Sequence, residues 1–151
     1  MADSITVKVE GLQQLGERMR NLAEAVNKRI AQKAINAGAQ VIKKQAIANA
    51  PQYPKQHKNE YGQEVPPGTL KRNIVVKKVT RTNLTAEAIV TVRGKRKDFY
   101  AARYGRIVEY GSVKMAPEPF MRPAFEQEKG FAVGRIKQIL TAEIEKAENA
   151  R

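Results

Sequence analysis

The chain has 151 residues, no cysteine and a formal net charge of +13, with 28 Lys and Arg against 15 Asp and Glu. That length suits one domain, 1–151, whose core needs no staples, and the absence of cysteine excludes disulfides and thiolate metal sites. No apolar run approaches the roughly 18 residues of a membrane span, and the start MADSITVKVEGL lacks the basic and apolar regions of a secretory signal, so a soluble protein with no membrane partner is expected.

SITVKVEG alternates Ile5, Val7 and Val9 with polar residues and ends at Gly11, the pattern of a strand. Helical spacing follows through Leu12, Leu15, Met19, Leu22 and Val26, then Ile30, Ala34, Ala37 and Val41. This predicts one long helix or two consecutive ones from Leu12 to Asn49, with a bend near Ala23–Asn27. Ala37-Gly38-Ala39 has two readings: a smooth flank where another element approaches closely, or a simple weakening of the helix. Pro51 stops the helix. The proline-rich stretch 52–67 reads as a flexible loop or arm and holds the only histidine, His57.

TLKRNIVVKKV and TAEAIVTVR read as two strands joined by TRTNLT, followed by the basic turn RGKRKD. In FYAARYGRIVEYG, the β-branched and aromatic residues favour a strand from Arg106 to Tyr110 after a short helical turn. Pro123 can open a last helix, whose stripe runs through Phe125, Ile136, Ile139, Leu140 and Ile144, and Gly130 and Gly134 are positions where it could divide. The expected fold is α+β: an antiparallel sheet of about four strands with a long N-terminal helix, or two, and a C-terminal helix packed on it.

Reactive constellations are missing. One His and scattered acids offer no metal-ligand spacing, neither phosphate-cradling glycine motif occurs, and no Ser or Thr stands in a nucleophile–base pattern. The expectation is a protein that is not an enzyme and has no cofactor. Charge is the positive signal. Residues 71–106 carry eleven basic residues against two acids, Glu87 and Asp98, a local excess of nine. Arg93, Lys95, Arg96 and Lys97 sit on the turn and can reach phosphates without reading bases, with Tyr100 and Tyr104 just beyond.

EYGSVKMAPEPFMRPAF, residues 109–125, is rigid, aromatic and chemically quiet. Gly111 allows a sharp turn, and Pro117, Pro119 and Pro123 restrict the approach to the last helix. Phe120 and Phe125 can anchor it in the chain's own core or in a neighbouring subunit.

Taken in order, Ala50-Pro51, then Gly68, Leu70, Lys71 and Ile74, then Val108, Glu109, Tyr110, Gly111 and Ser112, then Pro119, Phe120, Arg122, Pro123 and Ala124 resemble the HK97 gp10-like family of tailed-phage tail-completion or head–tail joining proteins. Pro67, Lys71, Asn73 and Ser112 depart from the residues usual there, and an insertion separates Pro51 from Gly68. The resemblance implies a structural protein of the virion neck at the head–tail junction, made in the host cytoplasm. It implies a homo-oligomeric ring, six-fold to match a tail tube, between tube or tail terminator and head connector, with nonspecific contact to passing DNA. The alternative that charge supports is a free basic nucleic-acid-binding protein without sequence specificity.

Overall fold

A computed structural model describes residues 11–52, 57–58, 62, 64–79, 85–94 and 99–150. Helix α1 (Leu12–Arg20) is followed after a short break by α2 (Glu24–Asn49). The break has a visible cause. Asn27 donates its side-chain amide to the carbonyls of Met19 (2.7 Å) and Leu22 (3.2 Å), satisfying acceptors at the end of α1. The expected bend is therefore a capped interruption, just ahead of its predicted place.

Two short strands, β1 (His57–Lys58) and β2 (Glu64–Val65), pair antiparallel inside the 52–67 arm, and Val65 is buried. Helix α3 (Thr69–Asn73) then leads into β3 (Ile74–Val79), which pairs antiparallel with β4 (Glu87–Val92). Helices α4 (Phe99–Tyr110) and α5 (Met121–Asn149) complete the chain.

Helices α2 and α5 form an antiparallel pair that is the spine of the molecule. Lys33 meets Glu143, Gly38 lies against Ala132 and Ile136, and Gln45 bonds Gln127. A Cβ on Gly38 would lie 2.6 Å from Ile136 Cγ1 and 3.1 Å from the Ala132 carbonyl, so the missing side chain permits this approach. Helix α1 runs beside α5, with Arg18 bonded to Glu148 at 2.7 Å. One end of the spine buries Leu22, Ile30, Ala34, Leu140 and Ile144. The other buries Ala46, Ala50, Leu70, Ile74, Val108, Phe120 and Ala124, with Val90 and Val92 packed against them. The β3–β4 ribbon lies on α2, with Ile74 opposite Val92 and Val76 opposite Val90 in the register.

The architecture is α+β, but four strands in one sheet are not found. The described residues hold two separate two-stranded sheets, and residues 5–9 and 80–84, read as a strand and a connection, lie outside them. The segment Arg106–Tyr110 is helical. Ala101, Gly105 and Val108 are buried while Arg103, Arg106 and Tyr110 are exposed, a period near 3.6 that outweighs the β preference of Ile107 and Val108. Leu70 also belongs to a helix rather than to β3, four residues before Ile74, and both are buried. Helix α5 packs along α2 rather than on the sheet, and Gly130 and Gly134 do not divide it. Their backbones face open space, so each costs helix propensity without opening a break. The helix begins at Met121, which puts Pro123 in the first turn, where its missing N–H is harmless. Among the described residues, no helix is long and apolar enough to cross a membrane.

Candidate functional site: the Glu109–Phe120 corner and the basic face

The corner begins where α4 ends. Gly111 has φ +79° and donates its N–H to the Ile107 carbonyl at 2.7 Å, closing the helix in the left-handed conformation. A Cβ at this glycine would also lie 3.0 Å from Pro117 Cδ. The chain then makes a tight loop, with Ser112 and Met115 exchanging backbone bonds of 2.8 and 3.3 Å. Glu118 N–H returns to the Val108 carbonyl at 2.7 Å.

Glu109 closes the corner. One carboxylate oxygen accepts from the N–H groups of Phe120 (2.8 Å) and Met121 (2.9 Å), and the other from Arg122 (3.0 Å). Helix α5 has Phe120 at its N-cap and no side-chain cap bond of its own. A glutamate on α4 thus serves amides that would otherwise be orphaned, and its charge suits the positive end of the helix. The Phe120 side chain is 1 % exposed and packs in the chain's own core.

Other motif residues point outward. Tyr110 is 70 % exposed and Val113, at the loop tip, is fully exposed. Ser112, Lys114, Pro119 and Arg122 are exposed too, while Pro123 is half-buried. Tyr110 to Pro117 line an open recess of about 510 Å³. No group of three or more His, Cys, Asp or Glu able to hold a metal occurs among the described residues.

The earlier motif builds α3. Gly68 has φ +74°, and Thr69 donates its hydroxyl to the Pro66 carbonyl at 2.6 Å. Leu70 and Ile74 are buried, Lys71 is half-buried, and Arg72 donates to the Pro67 carbonyl at 2.9 Å. Sequence reading missed Asn73. It is buried, and its side-chain amide donates to the Thr69 carbonyl (2.8 Å), while its backbone carbonyl accepts from Arg93 N–H (2.7 Å), joining α3 to the end of β4. Its signal was a lone amide between Leu70 and Ile74, both apolar.

The basic window divides. Arg93 is half-buried at the end of β4, while Lys95, Arg96 and Lys97 lie outside the described residues. Ion pairs Arg18–Glu148, Lys33–Glu143, Lys146–Glu143 and Lys129–Glu126 join residues of α1, α2 and α5. The hydrogen bond from Lys33 holds the Glu143 carboxyl below the usual carboxylate range against desolvation, with Lys146 adding to the effect. The Glu148 carboxylate raises Arg18 in the same way.

The profile of a family described as "Bacteriophage HK97-gp10, putative tail-component" matches residues 13–111, which run from α1 to the glycine of this corner. The chain belongs to the HK97-gp10-like family. No curated protein and no solved structure matches it at comparable stringency. An HK97-gp10-like protein is a structural component of a phage virion, where its neighbours are other virion proteins. In this HK97-gp10-like chain the matched span contains α1 to α4 and Glu109, whereas α5, which Glu109 caps, lies beyond it.

Proposed function

We propose that this protein completes the phage tail at the neck, as one subunit of a homo-oligomeric ring between the tail tube or its terminator and the head connector. Six-fold symmetry is the simplest match to a tail tube, and genomic DNA passes through the ring. The protein works by shape and packing, without catalysis or a cofactor, and it waits in the host cytoplasm until tails are ready. The observation that carries this reading is the corner itself: a braced loop in a tail-component family, with Tyr110 and Val113 turned to solvent. Large apolar groups on a pre-organised backbone suit a subunit contact.

Negative-stain imaging of nuclease-treated protein, alone and mixed with tail tubes at low and high salt, tests the proposal. Rings, or caps on tube ends, are the expected result. Particles that neither close into rings nor touch tubes, yet bind DNA avidly at low salt, overturn it in favour of a free nucleic-acid-binding protein. That second reading draws on the excess of nine positive charges in residues 71–106.

A further inference from the structure

We propose that the outward face of α5 around Phe131 binds a second copy of this chain, α5 against α5 and antiparallel, in a two-fold dimer of the free protein. The dimer does not rest on the neck reading. A two-fold contact uses the same patch on both copies, whereas neighbours in a cyclic ring meet through different patches. The dimer therefore precedes any ring and parts when the ring forms.

The face is distinct from the one that α5 spends on the fold. Ala132, Leu140 and Ile144 are buried in the spine. Further round the helix, Gln127, Phe131, Gly134 and Gln138 recur at steps of four, three and four, the spacing of a seam between two helices. All four are exposed, and Phe131 is 74 % exposed. A Cβ added at Gly134, or at Gly130 beside it, would meet nothing within 4 Å. Both glycines weaken the helix, and no described part of the chain uses them for a close approach. The middle of the face holds an aromatic ring and no charge, the composition of the centre of a protein contact. It is also short. Ala124, the next seam position toward the N-terminus, is buried in the core. At the other end Thr141 is half-buried, its hydroxyl on the Lys137 carbonyl.

The face complements itself. With a two-fold axis passing between residues 132 and 133, antiparallel copies set Phe131 over the partner's Gly134, a large side chain over a gap. Gln127 meets the partner's Gln138, and their amides can exchange hydrogen bonds. On one flank Glu128 falls beside the partner's Arg135, twice by symmetry. Glu128 enters no ion pair among the described residues. Arg135 gives one N–H to Gln138 of its own helix at 2.7 Å, and its remaining donors suit a carboxylate. Seven residues apart, Glu128 and Arg135 stand roughly 10 Å apart along one helix, so the partner's charge is the nearer one. A different protein would have to present the counterpart of each residue in the same order, which a second copy already does. A contact of about three turns falls below the roughly 1,200 Å² of stable complexes, so the dimer is weak and reversible.

The test is sedimentation equilibrium of the nuclease-treated, full-length protein in the absence of tails. The expected result is a mass that rises from one chain to two, with a Kd between about 1 μM and 1 mM. Phe131→Ser, Glu128→Arg and Arg135→Glu should each raise that Kd about tenfold or more, with the circular dichroism of the folded chain retained. An equimolar mixture of Glu128→Arg with Arg135→Glu should dimerise again, because every facing pair is then of opposite charge. The double variant Glu128→Arg/Arg135→Glu should dimerise alone. Recovery in the mixture cannot come from repair of a folding defect. Wild-type protein that stays monomeric at 1 mM overturns the proposal, as do single reversals that leave the dimer intact or a mixture that stays monomeric. Capping of tail tubes is scored separately: its loss in the wild type defeats the neck reading, whereas a monomer that still caps tubes defeats the dimer alone.

Discussion

Helix α5 starts with no Ser, Thr, Asp or Asn at its N-cap, and its first amides bond Glu109 instead. Removing that carboxylate leaves up to three N–H groups to water or to nothing. Glu109→Ala should cost about 2 kcal/mol, at the upper end of cap losses because several bonds to a charged acceptor are lost together. Glu109→Gln keeps one acceptor oxygen and should lose less; urea denaturation of both variants checks the order. Phe120 is a simpler case. With a ring 1 % exposed, Phe120→Ala should cost roughly 3–5 kcal/mol by the same measurement. The two residues differ in how visible they were in the sequence. A phenylalanine between prolines already read as an anchor, with its host undecided, and the structure seats it within the chain. The task of Glu109 was hidden, because its partners are backbone amides eleven to thirteen residues away. The available clue was negative: a predicted helix start without a cap must draw one from elsewhere.

Helix glycines look alike in sequence but behave differently according to what stands opposite. At Gly38 an added methyl meets Ile136, so Gly38→Ala should lose roughly 1 kcal/mol net, as crowding of roughly 1–3 kcal/mol exceeds a propensity gain near 1. At Gly130 and Gly134 nothing lies within 4 Å, so alanine there should raise the stability of the isolated chain by about 1 kcal/mol each. Thermal or urea unfolding of the three variants tests for this change of sign. The α2–α5 seam carries a pH dependence. Bonding to Lys33 depresses the folded-state pKa of Glu143, so its contribution is complete above its unfolded value near 4.5 and disappears as pH falls through the lower, folded value. Glu143→Gln should therefore melt below wild type at pH 7, with the gap closing as the pH drops below 4. Elements with one strong period were legible: α1, α2, β4 and α5 stand close to where apolar spacing put them. Helix α4 was not, because Ile107 and Val108 carry a local β preference. Only packing against Leu70 and Val92, distant in sequence, decides in favour of the helix.

At the scale of the whole molecule, folding and assembly draw on different parts of one motif. Glu109, Gly111 and Phe120 brace the corner, whereas Tyr110 and Val113 face out. Tyr110→Ser/Val113→Ser should leave the unfolding midpoint within about 0.5 kcal/mol of wild type, yet lose the capping of tail tubes in negative stain. A matching loss of stability would mean the pair serves the fold instead. The family was readable from motif succession, but the separation of inward from outward residues was not, since it depends on burial created by α2 and α5 together. The exposed tip raises another possibility. Val113 and Lys114 protrude between the span matched by the family and α5, and trypsin would cut after Lys114. The upstream piece would keep Ala46, Leu70, Ile74 and Val108, and the downstream piece Phe120, Ala124, Leu140 and Ile144, so each buried cluster would be shared between them. Neither piece could close its core alone. The loop is thus a natural place to split the chain into two complementary fragments, each useful as a reporter of the other's presence.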